Sequence, residues 1–136
     1  MGLFDFLQNI GSLGQMVRNI VEVYKKFKTE PAESDLERFV AMAVLRYLHP
    51  SVPNREINRA KVIGNMLGLI ERGEPVGLFG FCSGVAWAEM DVESDDFDTH
   101  KNILKIIRSS GISYDEAYGK TYDTEDLHRI AKKFNL

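Results

Sequence analysis

Six side chains that could bind a metal ion fall in two short stretches of the sequence. They are His49 and Glu56 in the first stretch, and Glu89, Asp91, Glu93 and Asp96 in the second. Carboxylate oxygens are the ligands that calcium prefers, whereas an imidazole suits a transition metal better. The acidic second stretch therefore predicts a calcium site, and the first stretch, with its histidine, is the poorer candidate.

The same acids also have a structural explanation. Glu56, Asp95 and Asp96 fall in or just before the first turn of a predicted helix, where a negative side chain offsets the helix dipole and its unpaired amides. A solvated acidic face would give this pattern too. The run that starts at Asp91 also lacks the glycine and the closing glutamate of an EF-hand loop. Both interpretations stay open at the level of the sequence.

The other residues with chemical potential do not form a catalytic pattern. Glu125 and His128 have the Glu-x-x-His spacing of di-iron bundles, but a second copy of the motif is missing from the sequence. Ser83 lies off centre between two glycines, unlike the serine of a nucleophile elbow. His100 falls on an apolar helix face, where a histidine is more often a core residue than a base. The sequence therefore predicts a protein that is not an enzyme.

Length and composition limit the class of protein. The chain has 136 residues, of which 44% are hydrophobic and 27% charged, and these values predict one globular domain. A net charge of −3 gives no reason to expect binding to nucleic acid, whose backbone attracts a basic surface. The single cysteine, Cys82, lies in an apolar run, so we expect a buried, inert thiol and no internal disulfide. Because the N-terminus lacks the pattern of a secretory signal, the expected location is the cytoplasm.

Residues 1–30 form the first predicted segment, an amphipathic helix that packs on the rest of the domain. Apolar residues recur at three- and four-residue steps from Leu3 to Phe27. Two other functions for this helix stay open. Residues 1–28 could bind a membrane surface, because their apolar face is rich in aromatic side chains. The wide apolar stripe could instead pair two chains in a homodimer.

Helical patterns continue to the end of the chain and make the protein all-α. Ser34 and Ser113 each begin a capping box. The run Leu78–Met90 is apolar nearly all round, as in a helix surrounded by others, although a strand over Val76–Phe81 is an alternative. We predict a single-domain bundle of six or seven helices. One of these helices would bury Ile57, Ala60, Ile63, Leu67 and Ile70, and a later one would group Phe97, His100, Leu104 and Ile107 on one side.

The two candidate stretches align with each other. His49–Glu56 can be placed over Glu89–Asp96, and in both a helix ends, a valine follows and a carboxylate falls in the first turn of the next helix. The alignment predicts two related helix–loop–helix halves, with Val52 and Val92 each holding its loop against the core. A repeat this short can also arise by chance.

Residues 88–96 carry a resemblance to a known family. Ala88-Glu89-Met90-Asp91-Val92-Glu93-Ser94-Asp95-Asp96 is similar to the Ala-Asp-Gly-x-(Ile/Val)-x-x-x-Glu element that the tellurite-resistance TerB family carries in each of its two helical halves. The stretch Ile103–Glu116 resembles the closing part of that family, and MGLFDFLQNIG with Tyr24–Phe27 resembles its leader helix. By this resemblance residues 31–119 form a TerB-like core and residues 120–136 an additional C-terminal helix.

The resemblance implies metal binding through the acids of both elements and a part in membrane-associated stress-response complexes. This chain departs from the family at the Asp-Gly positions, which are His49-Pro50 in the first half and Glu89-Met90 in the second. The loss of both glycines removes the positive-φ freedom that a tight ligand loop uses. The predicted function is a non-enzymatic interaction or scaffold module that responds to a metal. A peripheral membrane protein and an oligomeric structural protein are the alternatives.

Overall fold

Seven α-helices account for most of the chain that the structure describes. The structure is a computed structural model, and it describes residues 12–90, 92–93 and 96–136. The predicted all-α domain is confirmed over these residues, whereas the part of the predicted first helix that precedes Ser12 lies outside them. The helices are α1 (Leu13–Phe27), α2 (Asp35–Arg46), α3 (Arg55–Glu71), α4 (Leu78–Met90), α5 (Phe97–Ser109), α6 (Tyr114–Tyr118) and α7 (Thr124–Lys133).

Short polar side chains fix the residues at which several helices begin. Ser12, Ser34 and Ser113 each accept a hydrogen bond from the backbone amide three residues on. Each bond satisfies a donor that the helix itself leaves unpaired. At α7 the capping box is complete, because Asp123 and Asp126 each accept from the backbone amide of the other. The serine half of both capping boxes predicted from the sequence is therefore present.

Helix α4 lies at the centre of the domain. It packs against α1, α3, α5 and α6, and most of its side chains are buried, as its apolar sequence predicts. Gly80 and Gly84 let α3 approach closely, because a Cβ at these positions would lie 3.1 Å from Leu69 and 3.3 Å from Asn65. Trp87 is the large side chain of α4 that stays on the surface, with 39% of it exposed.

Two side-chain contacts join α2 and α4, and they occur in the same order along both helices. The Phe39 ring stacks on the Phe81 ring with centroids 5.8 Å apart, and Arg46 pairs with Glu89. Because matched positions meet along both helices, the bends that follow α2 and α4 start at the same end of the bundle. Helices α3 and α5 begin at positions 55 and 97, which are 42 residues apart. The two related halves stay a prediction.

The valines of the two bends contact the core, as the alignment predicts. Val52 is buried, and Val92 packs partly buried against the same core. The bends differ in length, since eight residues separate α2 from α3 and six separate α4 from α5. The predicted alignment pairs residues that are 40 positions apart, whereas the starts of α3 and α5 are 42 positions apart. The alignment is therefore shifted by two residues relative to the helix starts.

The backbone before α4 crosses the backbone after α6. Val76 and Lys120 form an isolated antiparallel bridge, in which the Val76 amide donates to the Lys120 carbonyl at 3.0 Å. Gly77 and Gly119 lie at the crossing, where a Cβ on either residue would come within 2.6 Å of the opposite backbone. The alternative of a strand over Val76–Phe81 is wrong, because α4 already begins at residue 78.

Two predicted helix faces differ from the observed ones. On α3 the buried stripe is Asn58, Val62, Met66 and Ile70, whereas Ile57 is 58% exposed and Ala60 is also exposed. Asn58 tolerates burial because its side-chain amide donates to the Pro53 carbonyl at 3.0 Å. On α5, Phe97 is 74% exposed. Apolar side chains are thus left on the outer surface of the bundle.

Candidate functional site

The predicted metal ligands lie in several different environments. Glu56 and Glu93 are exposed, the His49 ring nitrogen Nδ1 accepts from the Ser51 amide at 3.1 Å, and Asp91 lies outside the described residues. Within the described ranges no three His, Cys, Asp or Glu side chains lie close enough to hold a metal ion. The calcium site stays a prediction, because two acids of the second stretch are not described.

Asp96 caps helix α5. Its carboxylate accepts a hydrogen bond from the Thr99 amide at 3.1 Å, and this bond lowers the pKa of Asp96 below its usual value. The structural explanation for this acid, an interaction with the unpaired amides of a helix start, therefore applies.

Glu89 pairs with Arg46 inside the domain. Oε1 of Glu89 lies 2.6 Å from Nη2 of Arg46, and Oε2 lies 3.3 Å from Nε, so both carboxylate oxygens are engaged. The side chains are 5% and 1% exposed. Burial raises the pKa of Glu89, and the Arg46 guanidinium opposes this by stabilising the charged carboxylate. This predicted ligand joins the ends of α2 and α4.

Two adjoining depressions open where α3, α4 and α5 meet. The first, which we call the α3 trough, has a volume of about 900 Å³. Its lining comes from α3 and the residue after it, with one side chain from α4. The lining residues are Ile57, Ala60, Lys61, Gly64, Asn65, Gly68, Arg72 and Trp87.

The middle of the trough is formed by two glycines with open space beside them. A Cβ added to Gly64 or Gly68 would meet no atom of the described residues within 4 Å. Gly80 and Gly84, by contrast, are needed for the close contact between α3 and α4. Nothing in the described fold requires a glycine at position 64 or 68, although glycine inside a helix costs about 0.5–1 kcal/mol relative to alanine.

The second depression, which we call the α4–α5 pocket, has a volume of about 630 Å³. Its walls are largely aromatic and aliphatic, with two hydroxyls, an imidazole, two cations and the Glu74 carboxylate among them. Asn65, Arg72 and Trp87 belong to both depressions. The further residues that matter for its chemistry are Leu69, Phe79, Ser83, Phe97, His100, Lys101, Leu104 and Tyr118.

Ser83 and His100 form a hydrogen-bonded pair in this pocket, with Oγ and Nδ1 3.1 Å apart. A hydroxyl beside an imidazole is the first requirement of nucleophilic catalysis. Ser83, however, lies inside α4, where the backbone amides donate to helix carbonyls and cannot serve as an oxyanion hole. The neighbouring Cys82 is fully buried, and burial raises the pKa of its thiol.

The exposed apolar side chains of this surface were not identified from the sequence as a site. The sequence predicts Trp87 in a helix that is apolar nearly all round, Ile57 on an inward face, and Phe97 on the apolar side of α5. The sequence feature that points to this surface is the pair Gly64 and Gly68. Two glycines one turn apart lower the stability of a helix unless they permit a close contact.

Comparison with known proteins adds no relative. No protein-family model, no curated protein and no solved structure matches this chain. The resemblance to the TerB family therefore stays a prediction. Among the helices of the described ranges, none combines the length and the apolar character that crossing a bilayer requires.

Proposed function

We propose that this protein is a non-enzymatic interaction module, and that its α3 trough binds an amphipathic helix of a partner protein with acidic residues beside its apolar face. The observation that carries the proposal is the open backbone at Gly64 and Gly68. Two glycines in a helix interior lower stability, and no described contact inside the chain compensates for them. A contact with another molecule would do so.

The shape of the trough supports a helix as the ligand. Small side chains at an interface let two helices pack closely, and Ala60, Gly64 and Gly68 follow each other at four-residue steps along α3. Trp87 stands at one side of this strip and Ile57 at its start, both with large exposed fractions. Tryptophan is among the residues that most often dominate binding energy in protein interfaces.

The charge of the trough supports an acidic partner. Its charged lining residues are Lys61 and Arg72, both exposed, whereas the chain as a whole has a net charge of −3. Glu74, which lies beyond the trough, is 3.3 Å from Arg72 and offsets part of its charge. Complementary charges at the rim of an interface speed association and select the partner.

The alternatives are less well supported. The apolar face of α1 is used inside the domain, where Met16, Val17, Ile20 and Tyr24 are buried. A membrane anchor or a chain-pairing stripe would therefore depend on residues 1–11, which lie outside the described part. A second copy of the chain is a poor ligand for the trough, because a two-fold contact between α3 helices would bring the basic residues of the two copies together.

The proposal is tested with a display library of random peptides of about 16 residues, long enough for a helix of about 24 Å. The full chain is the bait. We expect the selected peptides to be acidic amphipathic helices whose affinity falls about tenfold or more in Gly64→Leu and Gly68→Leu variants, because the leucines fill the trough.

Gly14→Leu is the matched control, since it makes the same change in α1, where the nearest described atoms to an added Cβ belong to the end of the flexible Arg18 side chain. Selected peptides that bind the Gly64→Leu variant as well as the unmodified chain would refute the proposal. So would selected peptides that are basic.

A further inference from the structure

We infer that the α4–α5 pocket is a separate binding site for a small amphipathic anion, a molecule with an apolar or aromatic body and one carboxylate. The pocket holds about 630 Å³, and small-molecule sites in proteins occupy about 300–1,000 Å³. The pocket shares Asn65, Arg72 and Trp87 with the trough, but Lys101 and His100 line the pocket only and Gly64 lines the trough only, so variants can separate the two sites.

The apolar part of the pocket is held in a fixed shape. Phe79 stacks on Tyr118 with ring centroids 5.4 Å apart, and its ring meets the His100 ring edge to face at 6.1 Å. Leu69 and Leu104 pack partly buried against the core beside them. Rings that are already in contact lose little freedom when a ligand binds, so these walls are suited to the apolar body of the ligand.

The polar part of the pocket favours an anion. His100 is held by its 3.1 Å hydrogen bond to Ser83, and Lys101, the next residue of α5, is exposed in the same lining. Arg72 and Glu74, which also line the pocket, form an exposed ion pair with each other. Among the described lining residues, Arg72 and Lys101 are cations and Glu74 is the one carboxylate. A ligand whose body lies on Phe79 would bring its carboxylate to the α5 side, where Lys101 can donate to it.

The test compares 4-phenylbutyrate with the neutral 4-phenylbutanamide, which has the same shape without the charge. Trp87 is the only tryptophan in the chain and lines the pocket, so its fluorescence reports binding without a label. For a ligand of this size we expect the carboxylate to bind with a Kd on the order of 0.1–1 mM. We expect the amide to bind about tenfold more weakly, because it cannot form the ion pair.

Two lysines of α5 provide a matched pair of variants. Lys101→Met should weaken carboxylate binding to the level of the amide, whereas Lys105→Met, one turn further along and exposed outside the pocket lining, should leave it unchanged. Gly64→Leu should leave it unchanged as well, which separates this site from the trough. Equal affinity for the carboxylate and the amide, equal effects of the two lysine variants, or no saturable signal up to about 10 mM would overturn the inference.

Discussion

Arg46 and Glu89 place two charged side chains in the interior of the domain, where they are 1% and 5% exposed. Removing two charges from water costs several kcal/mol for each ion. The two hydrogen bonds between the guanidinium and the carboxylate offset that cost. The pair is therefore far more sensitive to the loss of one partner than to the replacement of both.

We predict that Arg46→Met lowers the free energy of unfolding by about 3–5 kcal/mol, because it leaves the Glu89 carboxylate buried without its cation. The double variant Arg46→Met, Glu89→Met should recover most of this loss. Urea denaturation followed by circular dichroism measures both. Arg129→Met is the control, since the ion pairs of Arg129 with Glu33 and Asp126 are exposed and should contribute less than about 1 kcal/mol. A loss below about 1 kcal/mol for Arg46→Met would contradict the prediction.

At the scale of single residues, the sequence predicts the chemical type of a candidate site residue better than the residue that it contacts. It identified Glu89 as part of an acidic run with chemical potential, but the run alone cannot indicate that Arg46, 43 positions earlier, faces it. The capping function of Asp96 was predictable, because a cap depends only on neighbours in sequence. Interactions within one helical turn are therefore accessible from sequence, whereas those between helices depend on the fold.

At the scale of elements, the crossing of two backbone segments beside α4 leaves no space for side chains. Gly119 has φ +84° and ψ −153°, a conformation that only glycine adopts readily, and its Cβ would lie 2.2 Å from the Val76 carbonyl oxygen. The crossing fixes where α4 begins and how α6 leads into the last helix. Both effects depend on the absence of a side chain at two positions, Gly77 and Gly119.

Gly119→Ala is expected to destabilise the domain by about 3 kcal/mol or more, since it adds a backbone clash to the strain of the conformation. Gly111→Ala separates the two effects. Gly111 also has a positive φ, +90°, but an added Cβ would meet nothing within 4 Å, so strain alone should cost about 1 kcal/mol. Thermal unfolding of both variants measures the difference, and equal losses would show that the clash is absent.

The helices themselves were largely predictable, but the face that each buries was not always so. Two stripes on α3 repeat at helical spacing. One contains Ile57 and Ala60, and the other contains Val62 and Met66. Which stripe is buried is decided by the positions of the neighbouring helices, and that information is not local. The trough exists because the core takes Val62 and Met66 and leaves Ile57 and Ala60 exposed, although Ile63 and Leu67 still pack against the core.

At the scale of the whole molecule, the last helix belongs to the single core. Leu127 and Ile130 of α7 are buried, and α7 packs against α2 and α3. Lys133 also pairs with Glu37 of α2. The segment 120–136, predicted as an addition to a core that ends at residue 119, therefore covers apolar surface that the other helices would otherwise expose to water.

Deleting residues 120–136 should abolish cooperative unfolding. The buried side chains of Leu127 and Ile130 each contribute about 1.5–3 kcal/mol, and the net free energy of unfolding of a domain of this size is small. Deleting only residues 135 and 136, which are exposed, should leave the melting transition nearly unchanged. Differential scanning calorimetry distinguishes these outcomes. A truncated chain that ends at residue 119 and still melts in one sharp transition would show that the last helix is an independent addition.

The glycine crossing has a consequence for recognising other members of this architecture. Side chains elsewhere in the bundle can be exchanged for others of similar volume with little change in the fold, but the two positions where backbone touches backbone cannot. Gly77 and Gly119, 42 residues apart, are thus the pair to look for in a distant sequence whose other similarity has faded. We expect these two glycines to remain in distant sequences after acidic and aromatic residues have changed.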